Sequence, residues 1–155
     1  MNIRLKTKLA DLFFYLQFWY AVNIHMQTKT IKLLLNDGSL KGLINIVDSV
    51  WFSGELYSAP REQVDELVKS DACKRYGVYL LLSNDKVYIG QASDLSKRIQ
   101  QHIIGKDWWE RVIVLTTDNN SFDHSDIDYL ESILIEKAKE SGKIDTENKV
   151  KGARP

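Results

Sequence analysis

Residues 75–102, "RYGVYLLLSNDKVYIGQASDLSKRIQQH", read as two strands and a helix packed into 28 positions. The apolar runs Gly77–Leu82 and Val87–Gln91 flank the turn formers Ser83, Asn84 and Asp85, which predicts a β-hairpin. Ser93 is the expected N-cap of a helix running to about Ile104, with Leu95, Ile99 and Ile103 as its core stripe. Arg98 and His102, four apart, share one side of that helix just off the stripe. Tyr79 and Tyr88 stand nine residues apart across the turn, so a hairpin brings them near one another. Gly77 and Gly90 remove side-chain bulk beside them, and a glycine inside a strand marks close approach of a ligand or another backbone. Taken singly, each residue has an ordinary explanation: strand tyrosines are mostly core, and a helix arginine is mostly surface. Their concentration is what needs explaining.

Upstream, "TIKLLLNDGSLKGLINIV" gives two strand-like runs around Asn36-Asp37-Gly38, a hairpin signal. "SAPREQVDELVKS" places Pro60 at a first helical position, with Val64, Leu67 and Val68 at helical spacing. Downstream, "RVIVLTT" is a third strand of the main domain. Ser125 and Asp128 resemble a capping box opening the helix "DIDYLESILIEKAKE", which Gly142 ends. Ile127, Leu130, Leu134, Ile135 and Ala138 form its apolar stripe. At about 100° per residue, Glu131 falls within that stripe, roughly 40° from its centre. A carboxylate facing inward is unfavourable unless it is paired or bound to a metal; pairing with a buried arginine, or a place at the rim of the stripe, would also account for it. Asp128, Glu136 and Lys139 are expected to point to solvent.

The 155 residues suffice for one well-packed domain, and 44% apolar with 27% charged residues describe a globular protein. The single cysteine, Cys73, excludes an internal disulfide framework and a cysteine-based zinc site, and suits a cytoplasmic location. With 21 basic and 21 acidic residues the net charge is zero, so polyanion binding has to come from local clustering, another domain or another subunit. The opening "MNIRLKTKLADLFFYLQFWYAVNIH" is apolar and aromatic from Leu12 to Val22. It falls short of the roughly 20 apolar residues of a membrane span and lacks a small-residue cleavage pattern. Three readings stay open for residues 1–25: an extension ahead of a start at Met26, an anchor to a membrane or partner, and a packed helix. Trp108 and Trp109 invite base stacking, but adjacent tryptophans leading into a strand usually include one core anchor.

The residues of the opening stretch resemble the GIY-YIG nuclease family. Gly77-Val78-Tyr79 is similar to the first signature, and Tyr88-Ile89-Gly90 matches the second. Arg98, His102 and Glu131 follow in the family's order, and Asn148 resembles the asparagine near the domain's end. The resemblance implies an α/β (α+β) fold: a small three-stranded antiparallel sheet flanked by helices, here preceded by a β-hairpin leader. It divides the chain into the extension 1–25, the leader 26–72, a nuclease domain 73–148 and a basic tail 149–155 containing Lys149, Lys151 and Arg154. Members carrying such a leader often continue into a further C-terminal region, which these 155 residues do not include.

The implied activity is metal-dependent endonuclease hydrolysis of DNA phosphodiesters. Glu131 would ligate one divalent cation, Mg2+ with Mn2+ as a substitute, and Arg98 would stabilise the phosphate. Tyr79 or Tyr88 would activate water. Tyrosine ionises near pH 10, so a cation must favour the phenolate, and Arg98 is the candidate. Tyr79 is the first choice as base, with Tyr88 positioning water or phosphate, His102 orienting Tyr79 or binding phosphate, and Gly77, Gly90 and Asn148 shaping the site. Lys97, Arg98, Lys106 and Arg111 are the expected nucleic-acid contacts. The partner is DNA, with an additional domain, subunit or homodimer supplying further grip. The alternative is a DNA-binding module of the same fold that does not cleave alone.

Overall fold

The architecture grows from strands too apolar to leave either face in water. In a computed structural model that describes residues 30–48 and 53–148, "GVYLLL" and "RVIVLTT" form β4 (Gly77–Leu82) and β6 (Arg111–Thr117), nearly every residue of which is buried. Such strands belong at the centre of a sheet covered on both sides. Before them come β1 (Ile31–Leu35), β2 (Ile44–Asp48), β3 (Gly54–Pro60) and the six-residue helix α1 (Val64–Lys69). Between and after them lie β5 (Lys86–Ala92), α2 (Leu95–Gly105), α3 (His124–Ser141) and the two-residue β7 (Asp145–Thr146).

All seven strands join one sheet in the order β1-β2-β3-β6-β4-β5-β7, antiparallel except for the parallel β5–β7 pair. The expected three strands are its contiguous β6-β4-β5 segment, and the expected three-stranded sheet is corrected to seven. The reason is β3. Its register with β6 runs from Gly54 against Thr117 to Pro60 against Arg111, which fuses the leader hairpin to the domain. "GELYSAP" holds few β-branched residues and ends in proline, so its β-propensity is weak; pairing to the strongly apolar β6 decides its conformation. Pro60 is therefore the last strand residue rather than the first helical one, and a 3₁₀ turn at Arg61–Gln63 separates it from α1.

Other local expectations shift by a residue or two. The β1–β2 connection spans Asn36–Leu43, because β2 pairs only from Ile44. Gly38 takes φ +73°, Asp37 accepts the Ser39 amide at 2.9 Å, and a Cβ on Gly42 would collide with the Asp37 carboxylate. Asp94, not Ser93, caps α2 by accepting from the Lys97 amide. The capping box of α3 is Asp123 with Asp126 instead of Ser125 with Asp128. Gly142 ends α3 at φ +60°, a left-handed position that glycine fills without strain.

Period-2 alternation sends Val78, Leu80, Val87, Ile89, Ile113 and Leu115 to one face, against the α3 stripe of Ile127, Leu130, Leu134, Ile135 and Ala138. Tyr79, Leu81, Val112 and Val114 go to the other, against Leu95 and Ile99 of α2, Val64, Leu67 and Val68 of α1, and Trp109. None of the described helices is long and apolar enough to cross a membrane. The apolar extension 1–25 and the basic tail 149–155 lie outside the described residues.

Because Leu56 of β3 is 5% exposed within the same core cluster as Ile113 and Ile127, leader and domain share one core and are expected to unfold together. Leu56→Ala is expected to lower stability by about 2–5 kcal/mol and to keep a single urea transition. A biphasic curve, with the hairpin melting first, would contradict the fused sheet.

Candidate active site

The register of the hairpin places the two tyrosines. Tyr79 faces Gly90 and Leu81 faces Tyr88, so the tyrosines occupy diagonal positions on the face that carries α2. Their ring centroids lie 6.2 Å apart. Gly90 is needed because the Tyr79 phenol lies across it: a Cβ there would overlap the phenol oxygen and ring. Gly77 acts similarly at the other end, where a Cβ would overlap the Leu115 carbonyl and crowd Leu95, the first residue of α2. The glycines thus let the helix and the tyrosine close onto the sheet.

His102 enters from the last turns of α2 and is 7% exposed. Its Nε2 is 2.7 Å from the Tyr79 hydroxyl, and its ring lies 5.4 Å from Tyr79 and 5.2 Å from Tyr88. Burial pushes the imidazole down to about 4, helped by the nearby cations Arg98 and Lys106. The ring is therefore held in its neutral form at physiological pH, and its Nε2 shares one hydrogen bond with the Tyr79 hydroxyl, whose direction follows the imidazole tautomer. Tyr79 is fully buried, and burial holds its phenol far above the usual tyrosine range, with Tyr88 adding to the effect and Arg98 opposing it. Arg98 is exposed and donates to Gln101 Oε1 at 2.9 Å. Its guanidinium also lies beside both phenols, Tyr79 above all, which binds its proton more firmly still.

Glu131 arrives from the opposite face of the sheet. It comes within electrostatic reach of Arg98, at a point where β5 has an open edge. β7 pairs with β5 only at Lys86 and Val87. The Asn148 side chain then continues the ladder for one residue, accepting from Ile89 N at 3.0 Å and donating to Ile89 O at 2.6 Å. Two positions further on, the Gln91 amide is bonded to the Glu131 carboxylate. Burial, and then the neighbouring Asp128, raise the Glu131 pKa, while Arg98 and the Gln91 amide pull the other way. The inward face of α3 is thus partly solvated at Glu131, which is half-buried.

Asp128 departs from its expected solvent-facing place: it is half-buried and accepts a short hydrogen bond from the Gln91 side chain. Its spacing of three from Glu131 is the signal that puts both carboxylates on one side of α3. Among the expected nucleic-acid contacts, Lys97 is exposed beside Asp94 at 3.4 Å. Lys106 is bound to Glu147 at 2.6 Å and sits 4.7 Å over the Tyr88 ring. Arg111 is not brought to the group: it lies on the α3 face, bonded to Ser58 Oγ at 2.7 Å and to the Lys41 and Gly42 carbonyls. Of the two tryptophans, Trp109 is the core anchor at 1% exposed, and Trp108 is half-buried under Lys86.

The neutral state of His102 has a consequence for stability. Between pH 6.5 and about 4 the unfolded chain takes up a proton that the folded imidazole refuses. Stability from this source is complete above pH 6.5 and is lost as pH falls through that window. His102→Gln is expected to flatten the decline in urea midpoint across it; an unchanged slope would mean that His102 is protonated in the fold.

The profile of the GIY-YIG catalytic domain matches residues 75–151, which contain both tyrosines, Arg98, His102, Glu131 and Asn148. Neither a curated protein nor a solved structure matches the chain significantly. Through this domain the chain belongs to the GIY-YIG nuclease family.

Proposed function

We propose that the site hydrolyses DNA phosphodiester bonds as a metal-dependent endonuclease. The observation that supports this best is the cluster of two phenols, a neutral imidazole and a guanidinium between α2 and the strands β4 and β5, with the Glu131 carboxylate within electrostatic reach of that guanidinium. Glu131 is the residue that would hold a divalent cation, Mg2+ or in its place Mn2+. Its pKa is raised by burial and by Asp128, so Arg98 and the Gln91 amide leave its negative charge incompletely compensated, a condition a hard cation relieves. When bound, such a cation supplies positive charge for the leaving oxygen and for phenol ionisation.

Arg98, exposed and beside both phenols, is placed to hold a phosphate through its planar fork. Tyr79 is the proposed base. Its oxygen meets Arg98, which favours the phenolate, and His102 Nε2, which orients the phenol through a hydrogen bond at 2.7 Å. Burial keeps Tyr79 protonated at rest, so ionisation waits for added positive charge. The half-buried Tyr88 orients water or phosphate at the open side. Asn148 fixes where β5's covered edge ends.

A nicking assay on supercoiled plasmid with magnesium tests this reading. Wild type is expected to cut, and Arg98→Ala and Glu131→Ala each to lose at least about a hundredfold in rate. Equal cutting by wild type and Glu131→Ala would refute the metal assignment.

A second reading, a module that binds DNA without cleaving it alone, is favoured by the spent cations. Lys106 is neutralised by Glu147 and Arg111 is turned into the leader, which leaves, of the four expected contacts, Arg98 and the Asp94-paired Lys97 for phosphate. Since phosphate contacts dominate DNA affinity, a further domain, a subunit or a homodimer would then supply the grip. Binding without cleavage across several divalent metals would select this reading.

A further inference from the structure

The last carbonyls of a helix have no partner within it, and at the end of α2 the partner comes from outside the matched domain. Arg61, in the turn after β3, donates to the carbonyls of Ile103 at 2.9 Å, Lys106 at 2.9 Å and Trp109 at 3.3 Å. Its guanidinium is stacked 4.4 Å from the Trp109 ring centroid. Trp109 in turn donates its indole N–H to the His102 carbonyl at 3.4 Å, and the Arg61 amide bonds the Glu110 carbonyl at 2.8 Å. These partners are main-chain carbonyls, so the guanidinium acts as a helix terminator rather than as one half of an ion pair. A cation also complements the negative end of the helix dipole. The same turn grips the leader hairpin, where Gln63 accepts from the Leu43 amide at 2.9 Å.

We infer that Arg61 is a positioning residue for the site: by capping α2 and clamping the segment after it, Arg61 sets where that helix holds Arg98 and His102 against Tyr79 and Tyr88. This rests on the proposed reading of Arg98 and His102 as the working face of α2. His102 lies in the turn that Arg61 and Trp109 terminate, and its bond to Tyr79 at 2.7 Å leaves little room for the helix to slide or turn. No reacting group is touched by Arg61 itself. Its sequence position, ahead of residue 75, makes the leader a working part of the catalytic domain.

The test uses the full chain with Arg61→Ala and Arg61→Lys. Both are expected to fold by circular dichroism and to melt cooperatively. In Arg61→Ala, kcat for plasmid nicking falls about ten- to a hundredfold, because small misplacement of catalytic groups is costly. KM changes less than about threefold, since uniform substrate binding is untouched. Lysine restores little, because one ammonium cannot span three carbonyls as the fork does, whereas millimolar guanidinium rescues Arg61→Ala in part. A second readout needs no cleavage: the titration midpoint of the His102 ring proton rises by about one unit or more in Arg61→Ala, as water reaches the imidazole. Should wild type not cleave, the nuclease reading fails, while the His102 midpoint still decides the clamp. A folded Arg61→Ala with wild-type kcat and an unmoved midpoint overturns the inference, as does a loss confined to KM. If Arg61→Ala does not fold, the same two readouts on Arg61→Lys decide.

Discussion

A missing side chain at Gly90 is the constraint on which the site depends. The Tyr79 ring lies across that position, and a methyl group there would occupy the volume of the phenol. With the ring seated, its hydroxyl is fully enclosed, and a buried hydroxyl without a partner is strongly unfavourable. His102 is that partner, and α2 has to sit close enough to deliver it. Gly77 allows the approach at the other end, where Leu95 packs on the sheet. Burial then acts on the two groups in opposite senses, raising the phenol and lowering the imidazole. Both effects favour the neutral pair. The core contains a hydrogen bond with no net charge, and Arg98, whose positive charge opposes the rise in the phenol's pKa, stands just outside.

A second constraint is where the sheet stops. A bare strand edge is an invitation to pair with another chain, and β5 covers its outer edge in three different ways. β7 supplies two residues of backbone, Asn148 supplies one residue's worth with its amide, and Glu131 takes the Gln91 N–H with a carboxylate. The progression from backbone to neutral side chain to charged side chain follows β5 from Lys86 to Gln91. It also leaves Glu131 within electrostatic reach of Arg98, although α3 packs on the other face. A longer β7 would cover the Gln91 amide and shut Glu131 out of the group.

The parts of this arrangement that were legible in the sequence are those set by local pattern. Alternation and the turn residues fixed β4 and β5, and helical phase brought Arg98 beside His102 and marked Glu131 as a carboxylate on an apolar stripe. Gly142 announced the end of α3 because only a left-handed residue suits that position. What stayed hidden depends on partners far away in the chain. Strand β3 lacks a β-forming composition and exists through its pairing with β6. Asp128 reads as solvent-facing by phase, yet the Gln91 side chain holds it near Glu131. The duties of Arg111 and Lys106 could not be told apart by charge alone. One is bound by leader carbonyls and the other by Glu147, both beyond the reach of local pattern.

In a chain of zero net charge, several of the cations are committed to structure. Arg61 ends a helix, Arg75 ties β4's entrance to Glu55 and the Thr117 carbonyl, and Arg111 holds the hairpin loop to β6. In each case a guanidinium serves main-chain carbonyls, which it can reach with several donors at once while its charge stays partly hydrated. These residues stitch together segments that the seven-stranded sheet has brought side by side, and each stitch joins the leader, or the strand it provides, to the matched domain. A guanidinium held in this way makes no direct phosphate contact, and with 21 basic residues balanced by 21 acidic ones the chain has little long-range pull on a polyanion. On the proposed reading, DNA would then be drawn to the site by the few cations left there, Arg98 foremost. The same guanidinium that favours ionisation of Tyr79 would also be the first to meet the phosphate, which couples substrate arrival to the electrostatics of the buried pair.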